Sequence, residues 1–63
     1  MKKTIKLLTQ IYGNEGGYAE FLYNGKRIKR RVYYRSDCGL YVIINNYMYF
    51  EYDFRDSDEI EEV

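Results

Sequence analysis

The residues best suited to chemistry in this chain are cations and tyrosines that alternate along one short stretch. Arg27, Lys29, Arg31, Tyr33 and Arg35 occupy every second position, so an extended strand projects them all to one side. Lysine and arginine attract phosphates, and flat tyrosine rings offer platforms for unstacked bases. The acids lie elsewhere. From Glu51 onwards Asp53, Asp56, Asp58, Glu59, Glu61 and Glu62 face Arg55 as the one cation. The net charge of zero therefore hides a basic middle and an acidic end.

Catalytic chemistry is poorly supplied. The chain has no histidine and a single cysteine, Cys38. An internal disulfide and a Cys/His metal site are thereby excluded, and the usual acid–base residue at neutral pH is missing. Cys38 has no imidazole to serve as its base, so it reads as a small turn residue. Asp53, Asp56, Asp58 and Glu59 do not follow the spacing of a calcium loop. Gly13-Asn14-Glu15-Gly16-Gly17 precedes a strand instead of a helix, the wrong setting for a phosphate loop. A non-enzymatic role without cofactor or metal is expected.

The elements that position the cations are strands. With 63 residues there is room for one domain, and nine tyrosines and three phenylalanines supply its bulk. Apolar residues alternate more than they recur at helical spacing, and β-branched and aromatic types dominate. The reading gives strands over Lys3–Tyr12, Tyr18–Tyr23, Lys26–Arg35, Leu40–Ile44 and Tyr47–Phe54. A helix over Lys2–Ile11, aligning Ile5, Leu8 and Ile11, is the competing possibility, disfavoured by β-branched residues and short length. Asn24-Gly25 and Asn45-Asn46 ask for two-residue hairpin turns, and Ser36-Asp37-Cys38-Gly39 for a four-residue turn. The fold expected is all-β: a five-stranded antiparallel meander closing as a small SH3-like or OB-like barrel, the alternative being an open sheet that dimerises through its uncovered face. Residues 1–55 would form the domain and 56–63 an acidic tail, frayed or in one helical turn.

Those turns set two faces. Phe21, Ile28, Val32, Tyr34, Tyr41, Ile43, Met48, Phe50 and Tyr52 would form the core, with Arg30 a misfit among them. Tyr18, Glu20, Arg27, Lys29, Arg31, Tyr33, Arg35, Val42, Ile44, Tyr47, Tyr49 and Glu51 would form the second face. The expected binding residues are Tyr18, Arg27, Lys29, Arg31, Tyr33, Arg35, Tyr47 and Tyr49, toward nucleic acid. The same face could instead bind a protein or a second copy of the chain, the acidic tail of one copy lying on the basic strand of the other. The plainer alternative is that lysine and arginine stems shield tyrosine rings and protect the sheet from aggregation.

In size and composition alone the chain resembles the small inhibitors carried by phages and mobile elements, of anti-CRISPR or anti-restriction type. No motif supports that likeness, and zero net charge weighs against mimicry of a phosphate backbone. No apolar run is long enough to span a membrane, and the basic start Met1-Lys2-Lys3 is followed by Lys6 and Gln10 instead of a leader's apolar stretch. A cytoplasmic, reducing location is the expectation that follows.

Overall fold

The computed structural model describes residues 3–63. Met1 and Lys2, which begin the basic start and the helical alternative, lie outside the described residues. The strands are β1 (Thr4–Leu7), β2 (Tyr18–Tyr23), β3 (Lys26–Arg31), β4 (Tyr33–Arg35), β5 (Gly39–Ile44), β6 (Tyr47–Phe50) and β7 (Glu59–Glu61), with a 3₁₀ turn over Glu51–Phe54. The chain is all-β, as its alternation required. The strands form two antiparallel sheets, one in the order β3-β2-β1-β7 and the other β4-β5-β6. The expected barrel is not closed, and the five expected strands become seven.

Both asparagine corners turn as expected. Asn24 and Gly25 have φ of 52° and 84°, and Asn45 and Asn46 have 52° and 65°. Paired positive φ is what a type I′ turn needs, and asparagine tolerates it better than most side chains. Tyr23 therefore pairs with Lys26 and Ile44 with Tyr47, which fixes both hairpins.

The third corner differs by one residue. Gly39, at φ 90°, pairs with Arg35 instead of lying within the turn. The loop is thus three residues, Ser36 to Cys38, closed by a glycine in the left-handed region. Tyr33 opposes Tyr41, and Tyr34 opposes Leu40. A slip of one residue exchanges the faces of a strand pair, so the second sheet buries the side that alternation had assigned to solvent. Val42, Ile44 and Tyr49 are in the core, whereas Ile43 is 41% exposed and Tyr34 is exposed on the edge strand.

The strand expected over Lys26–Arg35 is broken at Val32, where the chain passes from one sheet to the other. Val32 is buried, and its N–H donates to the Gly17 carbonyl at 2.9 Å while its own carbonyl accepts from Gly16 N–H at 3.1 Å. The first strand also stops early, at Leu7. Leu8 and Thr9 N–H both donate to the Glu20 carbonyl, at 2.8 and 3.2 Å, and the chain leaves the ladder. The loop returns Ile11 to the core, beside Ile5, Ala19 and Phe21. Phe54 completes this core from the 3₁₀ turn, its ring 5.9 Å from that of Phe21. Asp53 fixes that turn by accepting from the Phe50 N–H at 2.7 Å.

The acidic end is neither frayed nor helical. β7 pairs antiparallel with β1, Ile60 opposite Ile5. The reason is the apolar residue between the acids: Ile60 packs against the core while Glu59 and Glu61 face solvent. Arg30, the expected misfit, is half-buried and turns its guanidinium to the Lys29 carbonyl at 2.8 Å.

The exchanged faces predict an order of stabilities. Ile44→Ala should cost about 2–5 kcal/mol, as for a buried aliphatic residue, and Ile43→Ala less than about 1 kcal/mol. Urea denaturation of the two variants measures this. The reverse order would restore the four-residue turn.

Candidate interaction surface

The cations keep their expected places on the first sheet. In β2 and β3 Tyr18 pairs with Arg31, Glu20 with Lys29 and Leu22 with Arg27. Directly opposed residues share a face, so Tyr18, Arg27, Lys29 and Arg31 point away from the buried Phe21 and Ala19. Arg27 is partly neutralised by Glu20, at 3.5 Å across a solvated gap. Arg35 is tied to Asp37 in the turn, at 3.1 Å.

Of the expected aromatic partners, Tyr18 and Tyr33 join these cations, Tyr18 opposite Arg31 in the ladder. The Arg31 guanidinium lies 6.0 Å from the centre of the Tyr33 ring, within reach of a cation–π contact. Tyr47 and Tyr49 lie on the opposite side of their sheet, in contact with each other at 4.9 Å between ring centres. Tyr49 is 1% exposed and belongs to the core. A packed ring cannot stack on a ligand, so Tyr49 leaves the site. Tyr47 remains exposed, but on the inward-facing side of its sheet.

The residues that replace them are ones that alternation had placed in the core. Tyr33 stacks on Tyr41 at 5.5 Å, Tyr41 meets Phe50 at 5.7 Å, and Phe50 stacks on Tyr52 at 5.2 Å with planes only 3° apart. This row of rings crosses β4, β5 and β6 on their outward face. Ile43 and Met48 oppose each other on the same face. The signal that would have exposed this row is Gly39: a glycine closing a three-residue loop reverses the parity of everything after it.

No family model matches this chain, and no curated protein or solved structure matches it either. The surface is therefore read from its own chemistry. Among the described residues no grouping of Asp, Glu and Cys is arranged to hold a metal ion, and no helix is long and apolar enough to cross a membrane. Cys38 is exposed in the β4–β5 turn.

One polar cluster joins the two sheets behind this surface. The Tyr23 hydroxyl donates to Glu62, and the Asn45 side-chain amide donates to Glu62 at 2.8 Å. Val63 N–H donates to the hydroxyl of buried Tyr49 at 3.3 Å. The residues after β7 thus bind the β5–β6 turn and β6, and the acidic end lies across the sheet from the basic strand β3. The Tyr23 hydroxyl, followed by the Asn45 amide, holds the Glu62 carboxyl below its ordinary range. The same hydrogen bond from the other side, with burial second, raises the Tyr23 hydroxyl above its ordinary value.

A lowered folded pKa means that the ionised form is the stabilising one. The contribution of Glu62 is complete above the usual carboxylate range and is lost as pH falls through its lowered value. Thermal unfolding of Glu62→Gln and the parent from neutral to acid pH should show a gap at neutral pH that narrows as the medium becomes acidic. A gap independent of pH would remove the ionised carboxylate from the clasp.

Proposed function

We propose that the chain is a non-enzymatic binding module that takes single-stranded nucleic acid along the outward side of β3 and onto the aromatic row of β4 and β5. The observation that carries this reading is the contact sequence from Arg31 to Tyr33 to Tyr41, with the guanidinium 6.0 Å from the first ring and the rings 5.5 Å apart. Arg27, Lys29 and Arg31 would neutralise phosphates, and Tyr18, Tyr33 and Tyr41 would stack on bases. Single strands suit such a surface because their bases are free to leave one another. Phe50 and Tyr52 prolong the row toward Glu51 and Asp53, whose charges would repel a backbone. The binding path therefore ends near Tyr41.

A second reading, a protein-binding or homodimerising module such as a small inhibitor, is favoured by Ile43 and Met48. They are an apolar cross-strand pair beside the rings, with no use in binding phosphates.

Fluorescence anisotropy with a labelled single-stranded oligonucleotide separates these. Three neutralised phosphates give a slope of roughly −2 in log affinity against log salt. Tyr41→Ala should weaken binding by about 1–3 kcal/mol, the usual value of one stacked base, and Tyr47→Ala should leave it unchanged. Absent or salt-independent binding would refute the nucleic-acid reading. A dimer in sedimentation, lost on Ile43→Glu, would then favour the second.

A further inference from the structure

We infer that a cleft on another part of the molecule is a receptor for an arginine side chain presented by a protein partner. The cleft, about 460 Å³, lies where the β1–β2 loop meets the β4–β5 turn and the 3₁₀ turn. Two tyrosines and two carboxylates line it: Tyr12 and Glu15 from the loop, Tyr34 from β4, and Glu51 from the start of the 3₁₀ turn. Among the described residues no lysine or arginine lines it. Neither carboxylate forms an ion pair or hydrogen bond with any described residue, and neither tyrosine ring packs against another ring. Tyr12 is 75% exposed and Tyr34 is 55% exposed.

Two glycines shape the wall of the cleft. Gly13 and Gly39 both line it at positive φ, and nothing lies within 4 Å of where a Cβ would stand on either. A side chain at these positions would be strained whatever the space around it. The half-buried Leu40 supplies apolar surface for an aliphatic stem.

Aromatic faces and unpaired carboxylates in one concavity recognise a cation. The guanidinium is the cation that satisfies both parts. Its plane lies against tyrosine rings, its N–H groups fork onto carboxylates, and it is less strongly hydrated than an ammonium. The cleft is open, so a free amine would stay largely solvated there. A side chain held on a folded partner loses less freedom on entering and gains from the surrounding contact. Phosphates are excluded by Glu15 and Glu51, so this cleft is distinct from the basic surface and does not rest on the nucleic-acid reading.

The test is an amide chemical-shift titration of the whole chain with N-acetyl-argininamide. N-acetyl-citrullinamide serves as the uncharged isostere and N-acetyl-lysinamide as the alternative cation. Saturable shifts confined to the amides around Gly13, Gly39, Leu40 and Glu51 are expected with the arginine probe, weaker ones with lysine and none with citrulline. The double variant E15Q/E51Q, both positions being exposed, should keep the parent spectrum and bind the arginine probe about tenfold more weakly. Equal shifts with citrulline, unchanged affinity in the double variant, or no shift up to the solubility of the probe would each overturn the assignment. Tighter binding of the lysine probe would overturn the choice of guanidinium.

Discussion

The backbone conformation of Gly39 determines which side of the second sheet meets the core. At φ 90° it closes the loop after Cys38 and pairs with Arg35, so Tyr33 faces Tyr41. The β5–β6 hairpin inherits that parity without freedom to change it, because Asn45 and Asn46 lock Ile44 onto Tyr47. Val42, Ile44 and Tyr49 then share the core with Ile5, Ala19 and Phe21, and the rings of the outward row stay outside it, Tyr33 and Tyr52 exposed and Tyr41 and Phe50 half-buried. An L-residue other than asparagine or glycine is strained at such a φ. One torsion angle thus sets both the composition of the core and that of the exposed face.

The last strand solves a second problem of a small sheet. Without β7, strand β1, which carries the buried Ile5, would be an edge with its hydrogen-bonding groups open. Ile60 covers the core at that point, and Glu62 and Val63 carry the chain across to Asn45 and Tyr49. The edges of the first sheet are now β3, with its cations, and β7, with its acids. Charged edges resist pairing with further strands. The segregation of charge that is visible along the chain becomes a separation across one sheet, with β2 and β1 between the signs.

Much of this was legible from residue types. Alternation identified strands, Asn24-Gly25 and Asn45-Asn46 identified two hairpins with their registers, and the outward row of Tyr18, Arg27, Lys29 and Arg31 followed from the first. The exchanged faces have one origin. In β5 and β6 both faces are apolar: Val42, Ile44 and Tyr49 on one, Tyr41, Ile43, Met48 and Phe50 on the other. Hydrophobicity cannot choose between such faces, so the choice fell to the length of the Ser36–Gly39 corner. A glycine at its end fits a four-residue turn and a three-residue loop equally well on composition. Val32 is buried as alternation placed it, but the strand break at that residue was missed for a related reason. A strand that continues past a sheet boundary keeps its alternation, and the change of partners leaves no mark in residue types. The acidic end was underestimated because Ile60 is a single apolar residue among charges, too short a pattern to register as a strand.

The two apolar faces have an energetic meaning for a domain of this size. A small chain buries a limited share of its surface and has little stability in reserve. This one leaves Tyr33, Tyr41, Ile43, Phe50 and Tyr52 outside its core while using one valine and one isoleucine of β5 inside. Had stability been the sole constraint, polar residues on that outward face would serve solubility better. The rings already stack on one another, which limits their freedom before any ligand arrives and lowers the cost of ordering them on contact. Any partner that covers this face adds its own burial to the folded state alone. Occupancy at one hundred times the dissociation constant stabilises a fold by about 2.7 kcal/mol, a large fraction of what so small a domain holds. The outward row is thus core-like in composition although it lies outside the core, and the Glu62 clasp ties the two sheets together behind it.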